Sequence, residues 1–222
     1  MLGKLIPKHA KIVGGSGAEK QISRIVFCLS YFTVPLAIGS HVVAECFRIF
    51  PVPAKETESM LNKIADYCSE IAVDENGSKL LQILLSEHYI IGSCVAEIAQ
   101  TVISNYYYWS QDRFGSSVIQ HLIGLEKPNL LQDLVHAIQG IFIDLCYNKY
   151  GRDVIKKLIG ASKKKYASQI ISEIINDRGL VAALVDPDGY SFLKSIKNYA
   201  KGTDLKILNV LIRQYAQPLK KQ

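Results

Sequence analysis

The sequence predicts an all-α solenoid built from stacked repeats, and three observations carry that reading. Glycines heading similar segments recur at Gly39, Gly77, Gly115, Gly151 and Gly189, at intervals of 38, 38, 36 and 38 residues, and a near-constant period marks a repeat array. After each glycine, apolar residues favour positions i, i+1, i+4 and i+5, as in Val118, Ile119, Leu122 and Ile123. A turn of 3.6 residues gathers those four onto one stripe of a helix. Finally, one such stripe cannot offset the entropy of ordering a whole unit, so the units have to stack on one another.

The pattern is fullest from Gln111 to Leu125, where a turn is expected to close on Gly115. Ser116, Ser117, Gln120 and His121 then fall opposite the apolar stripe. Val42, Val43, Cys46 and Phe47 form the corresponding apolar set after Gly39, and Val154, Ile155, Leu158 and Ile159 the set after Gly151. Each segment therefore reads as a short helix with one dry face and one free face.

Taken in order, residues 1–19 read as an amino-terminal arm or partial cap. The run from Gly14 to Lys20 does not meet the phosphate-loop frame, because Glu19 precedes the lysine and Gln21 follows it. Residues 20–202 hold five repeats. Their long helices are marked by Ile22, Ile25, Val26 and Leu29; by Leu61, Ile64, Ala65, Cys68 and Ile71; by Val95, Ile98, Ala99, Val102 and Ile103; by Leu131, Leu134, Val135 and Ile138; and by Ile170, Ile171, Ile174 and Ile175. In the run from Tyr106 to Trp109, some rings must pack between repeats, since four adjacent aromatics cannot share one helix face. Thr203 is placed to N-cap a last helix carrying Leu205, Leu208, Leu211, Ile212 and Tyr215. Residues 203–222 then form a capping helix and a basic tail.

The chain carries 26 Lys+Arg against 20 Asp+Glu, a net charge of +6 that suits a polyanionic partner. Its five cysteines, Cys28, Cys46, Cys68, Cys94 and Cys146, stand singly and make no zinc spacing, so they read as core thiols of a reducing compartment. No secretory signal opens the sequence, since charge and proline break the start. Residues 25–44 lack Asp, Glu, Lys and Arg, but Pro35, Gly39, Ser40 and His41 interrupt them and the repeat frame accounts for them. The histidines His9, His41, His88, His121 and His136 stand at no nucleophile spacing, and His121 reads as a surface or inter-repeat residue. Asp186, Asp188, Asp74 and Glu75 lie before helices, where carboxylates favour the positive helix start. No enzyme, metal or organic cofactor is expected.

The segments around Asn76-Gly-Ser-Lys-Leu-Leu-Gln82, Phe114-Gly-Ser-Ser-Val-Ile-Gln120 and the run from Tyr147 to Lys156 resemble the repeats of the Pumilio (PUF) family. The resemblance implies a right-handed superhelix of three-helix units and single-stranded RNA, messenger or precursor ribosomal, as the partner. It also implies two base-edge residues and one stacking residue per repeat. Carried over by position, the edge residues are Ser40, Ser78 and Gln82, Ser116 and Gln120, Arg152 and Lys156, and Tyr190 and Lys194. His41, Lys79 and Ser117 are the stackers, with Asp153 and Ser191 in the same place of the last two repeats. The Ser and Gln pairs imply adenine; Ala44 removes one edge contact, and Arg152 with Lys156 suits phosphate better. The expected setting is nuclear, nucleolar or cytoplasmic, for a monomer that binds no membrane. A protein scaffold, with partners on the inner or outer face, is the alternative. All of this requires Ser78, Ser116 and Arg152 to line one open trough.

Overall fold

The computed structural model describes residues 64–86, 93–162, 166–180 and 186–216, and every regular element among them is helical. In order these are α1 (Cys68–Ala72), α2 (Glu75–Ser86), α3 (Ser93–Ser104), α4 (Tyr106–Gln111), α5 (Gly115–Gly124), α6 (Pro128–Ile138), α7 (Phe142–Cys146), α8 (Lys149–Ala161), α9 (Ala167–Asn176), α10 (Pro187–Lys197) and α11 (Gly202–Ala216). The first repeat, with Ser40, His41 and Ala44, lies outside the described residues, as do the arm, the uncharged stretch 25–44 and the tail from Gln217. Among the described residues no helix is long and apolar enough to cross a membrane.

A unit has three helices. A helix of five or six residues (α1, α4, α7) lies against the glycine-led helix that follows it (α2, α5, α8), and an outer helix (α3, α6, α9) completes the unit. Two expectations need correction here. The glycine-led helices are not short, running to between 10 and 13 residues. The helix expected from Leu61 to Ile71 breaks at Tyr67, so Cys68 and Ile71 belong to α1.

The glycines also do something other than turn the chain. Gly77, Gly115 and Gly151 sit in the first turn of their helices without positive φ. A Cβ on Gly77 would come 2.2 Å from the Ile71 carbonyl oxygen, one on Gly151 2.1 Å from that of Leu145, and one on Gly115 2.9 Å from Trp109 Cα. In each case the obstacle lies six residues upstream, at the end of the short helix. Glycine is required because two backbones touch there.

Four glycine-led helices, α2, α5, α8 and α10, pack side by side in chain order. Their apolar stripes are the core: Leu80, Leu81, Leu84 and Leu85; Val118, Ile119, Leu122 and Ile123; Val154, Ile155, Leu158 and Ile159; then Phe192, Leu193 and Ile196. The fourth place of the last set is Lys197, only half-buried. The outer helices bury Ile98, Ala99, Val102 and Ile103, then Leu131, Leu134, Val135 and Ile138, then Ile170, Ile171, Ile174 and Ile175, as expected. Trp109 is buried while Tyr108 is 75 % exposed, which divides the aromatic run between core and surface.

The last helix packs on α9 and α10 and buries Leu208, with Leu205, Leu211 and Ile212 half-buried. Thr203 is exposed inside its first turn instead of capping it, because the helix already starts at Gly202. Cys68 and Cys146 are free and buried, and burial pushes both thiols up to about 12.

Candidate nucleic-acid interface

Each glycine-led helix among the described residues is aimed by the same device. Asp74 Oδ1 accepts from the N–H of Asn76 and Gly77, and Asp112 Oδ1 from that of Phe114 and Gly115. Asn148 Oδ1 accepts from Tyr150 N and Asp186 Oδ1 from Gly189 N. In all four units an Asp or Asn three residues before the glycine satisfies donors that the helix itself leaves open. The sequence displays this regularity plainly, but only Asp74 and Asp186 are noticed when the carboxylates are read one at a time.

Adjacent units are tied together by polar bonds. Asn148 Nδ2 donates to Gln111 O at 3.2 Å, and Gly140 N donates to Glu173 Oε1 at 2.8 Å. His121 Nε2 lies 2.6 Å from Ser86 Oγ, which makes it the inter-repeat residue expected. Burial and the nearby Lys157 ammonium lower its pKa from the usual value.

Ser78, Ser116 and Arg152 follow the glycines on adjacent helices, but they do not line an open trough. They are 3 %, 1 % and 5 % exposed. Ser78 Oγ donates to Glu75 O at 3.0 Å and Ser116 Oγ to Arg113 O at 3.1 Å, so both hydroxyl hydrogens are spent on carbonyls three residues upstream. Arg152 Nη1 donates to Cys146 O at 3.2 Å and its Nη2 to Asp186 Oδ2 at 2.9 Å. Its expected phosphate role is corrected: the guanidinium joins α8 to the capping residue of α10. Burial raises the Asp186 pKa, but the Gly189 N–H and the Arg152 guanidinium outweigh that and hold the carboxyl below its usual value.

The requirement set on these three residues therefore fails, and what a ligand can reach is the polar row one and four residues beyond them. Lys79, Asp153, Lys156, Ser191 and Lys194 are exposed, and Gln82, Ser117, Gln120 and Tyr190 are half-buried. Lys79 Nζ meets Glu75 Oε1 at 3.0 Å on the surface, an ion pair weak enough to open for a ligand. Lys194 Nζ stands 4.4 Å from the Tyr190 ring centroid, so the two residues given as the edge pair of this repeat cover one another. Between α8 and α10 lies a cleft of about 250 Å³ lined by Lys149, Arg152, Asp153, Lys156, Asp188 and Ser191, among others. Lys149 and Asp188 were not singled out in the sequence as binding residues. Nothing in its pattern marks them, since they meet only when neighbouring repeats pack.

The fold and this row define a helical-repeat solenoid with a polar inner surface. A family model described as Pumilio-family RNA binding repeat matches residues 67–87, 105–138 and 142–175. The chain thus carries repeats of the Pumilio type. It is 28 % identical over 196 residues to Pumilio homolog 12 of Arabidopsis thaliana, covering 86 % of this chain and 32 % of that protein. It is also 27 % identical over 170 residues to Pumilio homology domain family member 4 of Saccharomyces cerevisiae, covering 72 % and 18 % respectively. The chain thus spans a third or less of these curated relatives. Among solved structures it resembles the Puf4 RNA binding domain bound to HO endonuclease RNA 3′ UTR recognition sequence, with a TM-score of 0.71, 23 % identity, and coverage of 92 % of this chain and 64 % of that one. PUF-8 in complex with PBE-RNA gives the same TM-score at 16 % identity, covering 91 % and 59 %. The matched family unit begins at the short helix, so its phase differs from a unit that opens on the long one.

Proposed function

We propose that this chain binds single-stranded RNA along the row formed by α2, α5, α8 and α10, without catalysing a reaction, and acts on messenger RNA or precursor ribosomal RNA in the nucleus, nucleolus or cytoplasm. The observation that carries the reading is the register of Gln82 and Gln120 on adjacent packed helices, each with Lys79 or Ser117 beside it. A glutamine amide presents a donor and an acceptor to one base edge, which suits adenine. Ser78 and Ser116 contribute as small buried floor residues that let a base approach. The RNA named for the Puf4 domain is a 3′ UTR element, which favours messenger RNA as the first target to try.

The test is titration of short adenine-rich and uracil-rich RNAs over a range of salt. Affinity should fall steeply as salt rises, and Gln82→Ala with Gln120→Ala should weaken adenine-rich binding more than uracil-rich binding. If neither RNA binds at low salt, the solenoid is a protein scaffold instead.

A further inference from the structure

We propose that the cleft between α8 and α10 selects guanine, with Asp153 as the residue that makes the choice; this rests on the RNA-binding reading above. Charge balance decides between a base and a phosphate as its occupant. The cleft holds three cations, Lys149, Arg152 and Lys156, against two carboxylates, Asp153 and Asp188. Arg152 is already neutralised, because its guanidinium is bonded to Asp186 at 2.9 Å. Two ammonium groups and two carboxylates therefore face the space, and a phosphate would meet as much repulsion as attraction.

A neutral ligand edge with both donors and acceptors fits that mixture. Guanine offers its N1–H and N2 amine side by side as donors, and a carboxylate accepts from both at once. Guanine also offers O6 and N7, which an ammonium on a flexible stem can reach. Adenine presents one amine beside an unprotonated ring nitrogen, so it gives a carboxylate only one donor. Lys149 stands at the N-terminal end of α8, Asp153 and Lys156 follow along the same exposed side, and Ser191 closes the opposite wall from α10. The neighbouring helix α5 has no Asp, Glu, Lys or Arg between Gly115 and Gly124, and it offers only amide, hydroxyl and imidazole groups. The accessible side thus changes from uncharged groups on α5 to mixed lysine and carboxylate chemistry on α8.

The test uses the whole chain and uridine octamers carrying one guanosine, adenosine or inosine at each position in turn. At one position guanosine should bind about tenfold more tightly than adenosine, with inosine, which lacks the N2 amine, in between. Asp153→Asn, an exposed and nearly isosteric change, should abolish or reverse that preference, because an amide has one acceptor and brings its own donor. Loss of the guanosine preference in Asp153→Asn, whatever its affinity for the plain uridine octamer, supports the assignment. Equal affinity for guanosine and adenosine at every position, or a preference that survives Asp153→Asn, overturns it while leaving RNA binding intact. Failure of every octamer to bind at low salt overturns both readings together.

Discussion

Replacing Gly151 with alanine tests whether backbone contact, and not a turn, is the reason glycine recurs. The added Cβ would lie 2.1 Å from Leu145 O, 2.9 Å from its carbonyl carbon and 3.2 Å from its Cα. Ordinary contact begins at 3.4 Å, so α7 would have to withdraw by more than 1 Å from α8. Overpacking of this kind costs about 1–3 kcal/mol. The better helix propensity of alanine returns up to about 1 kcal/mol. Because the obstacle is main chain and cannot rotate away, we expect a net loss of about 1–2 kcal/mol, or about 2–8 °C in Tm for a chain of this size. Thermal unfolding followed by circular dichroism reads the difference. Gly77→Ala, at 2.2 Å from Ile71 O, should match it, and Gly115→Ala, at 2.9 Å from Trp109, should cost less. Gly124→Ala is the control, since its Cβ would meet only the flexible end of Lys157 at 3.5 Å and should leave Tm unchanged or raised. Should Gly151→Ala melt at or above the unmodified protein, the steric account is wrong.

Asp186→Ala removes both the cap of α10 and the partner of buried Arg152 and should cost about 2–4 kcal/mol, whereas Asp186→Asn keeps an acceptor for Gly189 N and should cost about 1–2 kcal/mol, measured by urea denaturation. Since the Asp186 carboxyl is held low in the fold, its stabilisation is complete above the unfolded value near ~4 and is lost as pH falls through the folded one; Asp186→Asn should flatten that acid limb. The lowered pKa of His121 means that its stabilisation is complete above about 6.5 and drains away as pH falls through the folded value, so His121→Gln should reduce the Tm change between roughly pH 7 and 5. Leu158→Ala, at a fully buried site, should cost about 2–5 kcal/mol in the same denaturation, while Lys156→Ala on the exposed side should stay within about 0.5 kcal/mol.

The stack was legible in the sequence because the apolar stripe and the glycine period are local patterns, and Val154, Ile155, Leu158 and Ile159 are as buried as their spacing demands. The short helices were harder to read, since five residues such as Phe142–Cys146 are too few to show a period. The candidate site was legible only by position. Helical spacing placed Ser78, Gln82, Ser116 and Gln120 on the same side, but it said nothing of how closely neighbouring helices approach, and that distance decides which of them stays open. Arg152 shows the same limit, since its partner Asp186 is 34 residues away and belongs to the next unit.

Side-by-side packing of α2, α5, α8 and α10 has a geometric outcome of its own. Packed helices lie roughly 8–10 Å apart according to the bulk of the residues at their contact, so the stack sets the interval at which successive amides such as Gln82 and Gln120 are presented. A substitution that moved these helices apart would change the pitch of the array before it altered any single contact with a ligand.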